Sequence, residues 1–286
     1  MRDAFLAVCF GSLLAAQPAP EVHFHHLHLN NTDPAAAIDF YTSKFDSEKA
    51  RFAGAQDAVW AQKSWLLFEK VPSPPPSEIV SPIWHFGWGA EDMRETYRKQ
   101  IAAGTLFDTP ITELFPNFFF AYVLGPNKAL IELNSAKHHH FGHLHLLSAD
   151  PVAAGEWYVR HFGTRYASGR PPSRDPRFIR GFQVGPSASM MSDNVNIIVY
   201  PIQYARQAFA ESWKDRAGFV TSKGRVVDHV AFSFENLDEP LARLEKDGVR
   251  VVARPAEIPG TKVRSAFIEG PDQILLEMVE GHPRKE

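Results

Sequence analysis

Residues 125–132 read Gly-Pro-Asn-Lys-Ala-Leu-Ile-Glu, and residues 270–277 read Gly-Pro-Asp-Gln-Ile-Leu-Leu-Glu. The spacing from the glycine to the glutamate is identical in the two segments. At four places a histidine also stands seven residues before an acid or amide that begins a helix-like stretch: His26 and Asp33, His85 and Asp92, His143 and Asp150, and His229 and Asn236. The chain therefore reads as two copies of a double unit, each with two such histidines and one glutamate.

The sequence after each histidine predicts a helix. Val22 to Asn30 alternates in polarity, as a strand does, and Asp33-Pro34 then supplies a helix cap and a proline at the first helical position. Asp92 and Asp150 are predicted to cap the second and third helices, and Asn236 or Asp238 the fourth. Each unit is predicted to be a strand, a helix and three strands, which makes the chain an α+β protein of four βαβββ units.

Strand alternation predicts which side chains share a face. His26 and His28 lie on one face of their strand and Leu27 on the other, and His143 and His145 are paired in the same way. Each histidine is therefore expected on the sheet face away from the helix.

Glu132 and Glu277 each lie in an otherwise apolar strand end. A buried carboxylate is costly unless a cation compensates it. The pattern favours metal ligation by histidine and glutamate, and the alternatives are a buried salt bridge to arginine or lysine, or a register that exposes the glutamate.

Composition narrows the class of protein. The 286 residues are 44% apolar, enough for two globular domains, and 30 basic residues nearly balance 33 acidic ones. We expect a small-molecule partner and neither nucleic acid nor a membrane surface. The predicted domains are residues 21–136 and 141–281, separated by a polar linker at 137–140.

The N-terminus has the layout of a secretory signal peptide. Arg2 precedes an apolar run from Ala4 to Ala16, and prolines follow at Pro18 and Pro20. We predict a signal peptide over residues 1–20, cleavage near Ala16 and a periplasmic or secreted protein that loses Cys9, its single cysteine. The alternative is a disordered apolar N-terminus on a cytoplasmic protein.

The third unit contains a long basic loop, Gly169 to Arg177. A loop of this length inside a domain is either disordered or a lid over a site, and the sequence leaves both readings open.

These paired units, with a first-strand histidine and a last-strand glutamate, resemble the vicinal oxygen chelate superfamily over residues 22–281. That family includes glyoxalase I, extradiol dioxygenases and the bleomycin resistance proteins. The resemblance implies two open barrels of paired units, each around a divalent metal. The implied ligands are His26, His85 and Glu132 in one barrel, and His143, His229 and Glu277 in the other.

The resemblance also implies acid-base residues. Tyr122 matches a tyrosine of the extradiol dioxygenases, although Phe267 stands at the equivalent place in the last unit. His28 and His145, two residues beyond the implied ligands, are candidates for proton transfer or for supporting hydrogen bonds. Glu69 is a candidate fourth ligand if its register permits.

The expected function is that of a metal-dependent enzyme acting on a small, oxygen-rich, metal-chelating substrate, as a dioxygenase or as a lyase or isomerase. Fe(II), Mn(II) and Zn(II) all suit two histidines and a carboxylate. The rival is a non-catalytic protein that binds a small molecule, as bleomycin resistance proteins do. The sequence does not indicate the oligomeric state.

Overall fold

The computed structural model describes residues 22–282, so the predicted signal peptide, residues 1–20, lies outside the described residues. The first unit contains β1 (Val22–Asn31), α1 (Pro34–Lys44), β2 (Glu48–Phe52), β3 (Gln56–Ala61) and β4 (Ser64–Lys70). The second contains β5 (Ile83–Gly89), α2 (Met93–Ala102), β6 (Phe107–Phe115), β7 (Phe118–Leu124) and β8 (Leu130–Asn134), with a 3₁₀ turn at Pro126–Lys128.

The third unit is longer. It contains β9 (Phe141–Ser148), α3 (Pro151–Phe162), β10 (Arg165–Tyr166), β11 (Arg177–Ile179), β12 (Phe182–Gly185), β13 (Ala188–Ser192), β14 (Val195–Pro201), α4 (Ile202–Ala208) and α5 (Ala210–Trp213). The fourth unit contains β15 (Val227–Phe234), α6 (Asp238–Lys246), β16 (Val251–Glu257), β17 (Arg264–Glu269) and β18 (Leu275–Glu280), with a 3₁₀ turn at Pro271–Gln273.

The predicted helix caps are confirmed for three of the four units. The carboxylates of Asp33, Asp92 and Asp150 each accept a hydrogen bond from a backbone N–H in the first turn of α1, α2 and α3. The fourth cap prediction is wrong. The cap residue of α6 is Leu237, which makes no side-chain capping bond, and Asp238 is already helical. Asp238 instead accepts a hydrogen bond from Arg264.

The strands form two eight-stranded sheets. The order in the first sheet is β16-β17-β18-β15-β1-β4-β3-β2, so it joins the first unit to the fourth. The order in the second sheet is β10-β13-β14-β9-β5-β8-β7-β6, so it joins the second unit to the third. The predicted α+β fold, with four βαβββ units paired into two open barrels, is confirmed, and neither sheet is closed.

The predicted grouping of ligands within each half of the chain is wrong. His26 lies in the first sheet, whereas His85 and Glu132 lie in the second. The reason is strand pairing: β1 is hydrogen-bonded antiparallel to β15, and β5 to β9. Because the four units carry the same pattern, their sequences do not specify which pairs combine. The domain limits at 136 and 141 fall in the connection between β8 and β9 and stay a prediction.

The hydrophobic core lies against the sheet faces opposite those that carry the candidate metal-binding histidines. Leu27, Phe86, Leu144 and Phe232 are fully buried in one apolar cluster with residues of the four unit helices. Phe162 of α3 packs on Phe232 with ring centroids 4.5 Å apart. The sheet faces that carry the histidines therefore point away from this core, as alternation predicts.

The long loop of the third unit leads into a small hairpin, β11–β12. Arg180 at the hairpin turn donates a hydrogen bond to the backbone carbonyl of Glu113, at the end of β6. The hairpin thus fastens the third unit to the outer strands of the second. Among residues 22–282 there is no helix long and apolar enough to cross a membrane.

The buried side chain of Leu27 in β1 should contribute strongly to the free energy of unfolding. Leu27 is 0% exposed and Leu106 is 70% exposed. We expect Leu27→Ala to lower the free energy of unfolding by about 2–5 kcal/mol, because it removes buried methyl groups and leaves a cavity. Leu106→Ala, the matched control, should change it by less than about 0.5 kcal/mol. Urea unfolding of both variants measures this, and equal losses would contradict the proposed core.

Candidate metal centres

Within the described residues, two groups of side chains could each hold a metal ion. One lies on the second sheet and comprises His85, Glu132, His143 and His145; we call it the Glu132 site. The other lies on the first sheet and comprises His26, His28 and His229 together with Glu277; we call it the Glu277 site. Each site takes two histidines from the first strand of one unit, and a histidine and a glutamate from its partner.

Strand register creates this arrangement twice. His28 lies directly opposite His229 in the β1–β15 pair, and their rings stack with centroids 4.5 Å apart. His145 lies opposite His85 in the β9–β5 pair, and those rings stack at 4.4 Å. The two sites are therefore equivalent positions of one repeated framework.

At the Glu132 site the donor atoms converge loosely. Glu132 Oε2 lies 2.9 Å from His85 Nε2, and Glu132 Oε1 lies 3.7 Å from His143 Nε2. The amide of Asn134 donates to Glu132 Oε1 at 2.8 Å. Nδ1 of His85, Nε2 of His143 and Nδ1 of His145 are buried without a hydrogen-bond partner. Unpaired buried ring nitrogens beside a carboxylate are available as ligands for a metal ion.

At the Glu277 site the atoms converge more closely. Glu277 Oε2 lies 3.0 Å from both His26 Nε2 and His229 Nε2, and these two nitrogens are 3.4 Å apart. Ligands placed about 2.0–2.1 Å from a tetrahedral zinc ion are about 3.3 Å from one another. The spacing of these three donors therefore fits a first-row divalent metal.

The protonation of the Glu132 site favours metal binding. Burial holds the pKa of His85 and of His145 well below the ordinary histidine value. Burial also lowers the pKa of His143 to about 4. All three imidazoles are therefore neutral at pH 7, which is the form that binds metals.

The Glu277 site has a different charge balance. Burial acts to lower the pKa of His229, but its hydrogen bonds to the carboxylates of Asp228 and Glu277 outweigh burial and raise this pKa to about 9. Burial likewise acts to raise the pKa of Glu277, and the hydrogen bonds from His229 and His26 hold it well below its ordinary value. The two carboxylates thus require a positive charge between them, supplied by a proton or a cation.

A glycine makes room for the Glu132 site. Gly87 pairs with both Glu132 and His143 across β5, and a Cβ on Gly87 would lie 2.5 Å from the His143 ring and 2.2 Å from the Glu132 carbonyl. Ala231 occupies the equivalent position beside His26 and Glu277. The Glu132 site therefore has no room for a side chain at a position where the Glu277 site accommodates a methyl group.

A cavity of about 360 Å³ opens on the Glu132 site. Glu132 and His145 are part of its wall, which is otherwise mainly apolar and aromatic. The aromatic residues include Trp84, Phe120, Tyr122, Phe182, Tyr200 and Tyr204. Ile179, Arg180 and Phe182 bring the β11–β12 hairpin, which follows the long loop of the third unit, into the wall.

The predicted acid-base residues lie in the two sites. His28 and His145 belong to the two groups of potential ligands themselves. Tyr122 lies opposite Glu132 in the β7–β8 pair and lines the cavity. Burial and the neighbouring Glu132 carboxylate raise the pKa of Tyr122 well above its ordinary value, so the phenol stays protonated.

The prediction of Glu69 as a possible fourth ligand is wrong. Glu69 lies opposite Asn30 in the parallel β1–β4 pair and is exposed. Trp65 and Leu67 are the residues opposite His26 and His28. Because of this register, the fourth potential ligand of the Glu277 site is His28 of β1 and not a carboxylate of β4.

Sequence reasoning missed the residues that support the histidines of the Glu277 site. His229 Nδ1 lies 2.6 Å from Asp228 Oδ1, and His26 Nδ1 lies 2.7 Å from His25 Nδ1. Strict alternation places His25 on the opposite face from His26, but the β1–β15 register is irregular between Phe24 and His26. The adjacent acid in Asp228-His229 was the signal available in the sequence.

Comparisons with known proteins agree with this architecture. The sequence model of the Glyoxalase/Bleomycin resistance protein/Dioxygenase superfamily matches residues 140–278. Glyoxalase I from Zea mays superposes with a TM-score of 0.67 at 12% identity, over 91% of this chain and 92% of that chain. A putative dioxygenase from Bacillus subtilis superposes with a TM-score of 0.61 at 12% identity, over 93% and 87%. A comparison with curated protein sequences gives no significant match.

At these identities the likeness to solved structures establishes the fold alone, and the sequence match concerns residues 140–278. The structural likeness includes these residues and extends through the first half of the chain as well. Residues 140–278 match the model of the glyoxalase, bleomycin resistance protein and dioxygenase superfamily, and the whole chain has the four-unit fold of the similar solved structures, as its histidine and glutamate pattern predicts.

Proposed function

We propose that the chain is a divalent-metal-dependent enzyme whose reaction takes place at the Glu132 site. The observation that carries this proposal is the aromatic cavity that opens on Glu132 and His145. A ligand set beside a cavity of substrate size is the arrangement of a catalytic rather than a purely structural centre. The superfamily of residues 140–278 includes enzymes and resistance proteins by its own description, which supports the proposal without deciding the reaction.

His85, Glu132, His143 and His145 would hold the metal. A set rich in imidazole with one carboxylate suits Fe(II), Mn(II) or Zn(II). When bound, such an ion supplies Lewis acidity toward oxygen atoms of the substrate. Glu132 is fixed for this role by the amide of Asn134.

The cavity walls favour a particular kind of substrate. Trp84 and Tyr204 lie with ring centroids 4.5 Å apart, and Tyr200 lies 5.3 Å from the ring of His145. These rings can stack on a flat apolar body while its oxygen donors point toward Glu132 and the histidines. Arg180 is exposed at the mouth of the cavity and is the cation among its wall residues. A strongly polar, multiply charged substrate therefore fits these walls poorly.

Tyr122 would act as a hydrogen-bond donor and not as a base. Its phenol is buried beside Glu132 and stays protonated, as the raised pKa requires. Its ring centroid lies 5.0 Å from that of His85. A donor in this position can hold a substrate oxygen in place and stabilise negative charge that develops on it. His145 also lines the cavity, so one of the residues that would hold the metal lies beside the substrate.

Dioxygenation of an aromatic diol fits the aromatic walls best, and a lyase or isomerase reaction on another vicinal oxygen ligand is the second candidate. Binding without turnover would mark the chain as a sequestering protein. Elemental analysis of untagged protein followed by oxygen-consumption assays with catechols and other vicinal oxygen ligands separates these outcomes.

Removing the carboxylate of the proposed reaction site should abolish both metal binding and activity there. We expect Glu132→Gln to lower the metal content by one ion per chain and to eliminate turnover, because a neutral amide is a weak ligand. Glu211→Gln, at an exposed position of α5, is the matched control. Elemental analysis and the same turnover assay provide the readouts. Unchanged metal content in Glu132→Gln would refute the assignment.

The room left by Gly87 gives a second test. We expect Gly87→Ala to displace the His143 ring and to weaken metal binding at the Glu132 site, because the added methyl overlaps that ring. The reciprocal change, Ala231→Gly, should leave the ion of the Glu277 site in place. Isothermal titration of metal-depleted protein with Zn(II) compares the variants. Wild-type affinity at both sites of Gly87→Ala would contradict the packing argument.

Export remains a proposal that rests on the apolar run from Ala4 to Ala16. We expect the native protein to begin near Gln17, since the signal peptide would be removed on translocation. Mass spectrometry of protein purified from the periplasm or medium of its own host measures the mature N-terminus. An intact chain beginning at Met1 in the cytosolic fraction would exclude export.

A further inference from the structure

The two ligand groups differ in what surrounds them. The difference lies in the residue that immediately precedes each ligand histidine, which can hydrogen-bond to the imidazole at one site but not at the other. Asp228 precedes His229 at the Glu277 site, whereas Trp84 precedes His85 at the Glu132 site. His25 precedes His26, whereas Gly142 precedes His143. At these equivalent positions the Glu277 site therefore has side chains that can hydrogen-bond to its histidines, and the Glu132 site does not.

These supports orient the imidazoles of the Glu277 site. When a cation takes the place of the proton on His229 Nε2, the Nδ1–H still donates to Asp228 Oδ1 at 2.6 Å, and Nε2, which faces Glu277, becomes the ligand atom. His26 Nδ1 is engaged by His25 Nδ1 at 2.7 Å, which likewise leaves His26 Nε2 toward Glu277. A carboxylate behind a histidine ligand fixes its tautomer and raises its basicity toward a metal.

Asp228 is itself firmly held. Its Oδ2 accepts hydrogen bonds from the backbone N–H of Gly224 at 2.6 Å and from the amide of Asn30 at 3.2 Å. The side chain is only 15% exposed. The support is thus part of the fold, and no ordering is required when a metal binds.

Charge also separates the sites. His229 lies between two carboxylates, those of Asp228 and Glu277, both largely removed from solvent. The Glu132 site contains the single carboxylate of Glu132. A divalent cation at the Glu277 site would neutralise both negative charges where solvent screens them little, so its attraction there is stronger.

The Glu277 site further joins distant parts of the chain. His26 and His229 are separated by 203 positions and come from the first and fourth units. The Glu132 site joins the second and third units, which follow each other directly. Fixing the ends of a longer loop removes more conformational freedom from the unfolded chain. Metal binding at a site that exists only in the folded state adds directly to the stability of that state.

We propose that the Glu277 site is the high-affinity metal site of this chain, that it keeps its ion under conditions that empty the Glu132 site, and that the retained ion fastens the first unit to the fourth. Asp228 acts as a positioning residue for this site. The proposal rests on the proposed metal binding of the chain, but it does not depend on which reaction occurs at the Glu132 site.

The test uses the full chain, without a histidine tag, loaded with Zn(II) and then dialysed against chelators of increasing strength. We expect wild-type protein to pass through a stage with one Zn(II) per chain. Glu277→Gln should abolish that stage, whereas Glu132→Gln should retain its one ion throughout it. Loss of both ions together from wild-type protein, or a retained ion that disappears in Glu132→Gln, would overturn the proposal while leaving metal binding itself intact. Absence of any bound Zn(II) would overturn both proposals.

Asp228→Asn provides the quantitative test of positioning. We expect Zn(II) at the Glu277 site to bind about 10–100-fold more weakly, with no change at the Glu132 site. The difference in Tm between the zinc-loaded and metal-depleted forms should shrink in Asp228→Asn and in Glu277→Gln, and stay at the wild-type value in Glu132→Gln. This difference separates positioning from a structural role, because a purely structural defect lowers the Tm of both forms equally. An unchanged difference in Asp228→Asn would contradict the role of Asp228.

Discussion

Antiparallel pairing between the first strands of different units is the interaction on which both candidate metal centres depend. It sets His28 against His229 and His145 against His85, and it brings the glutamate of the adjoining last strand within reach of both strands. A shift of one residue in either register would turn the ligand histidines of that strand toward the core, and would turn Leu27 or Leu144 away from it. The burial of Leu27 and Leu144 therefore protects the ligand geometry, because a slipped strand would lose its apolar contacts.

Much of this architecture could be predicted from the sequence because it depends on local patterns. The capping residues Asp33, Asp92 and Asp150 correctly predict where three helices begin. Strand alternation around His26 and His143 correctly predicts the sheet face of the candidate ligands. The choice of partner unit could not be predicted. The signal that distinguishes β1–β15 from β1–β5 pairing lies in long-range packing, and four units of one pattern offer the same strand edges to one another. The irregular register beside His25 is a tertiary effect of the same kind.

The two centres show how a repeated framework acquires unequal properties through few residues. Trp84 and Asp228 occupy equivalent positions, yet Trp84 forms part of an aromatic cavity wall and Asp228 holds an imidazole. Tyr122 and Phe267 are a second such pair, opposite Glu132 and Glu277. The phenol adds a polar group beside the cavity, whereas Phe267 packs its ring edge-on against His229 with centroids 5.1 Å apart. Ligand identity is thus conserved between the centres while their surroundings diverge.

The crossed order of the sheets also determines how the chain can move and how it can be divided. Since each sheet contains one unit from each half, the halves cannot rotate as rigid bodies about residues 135–140 without breaking two ladders of backbone hydrogen bonds. An isolated half would expose the edges of β1 and β5, or of β9 and β15, and unpaired edges readily recruit further strands. A second copy of the same half could cover both edges at once in a closed two-fold arrangement. The single chain has the connectivity of such a dimer with its two subunits joined end to end.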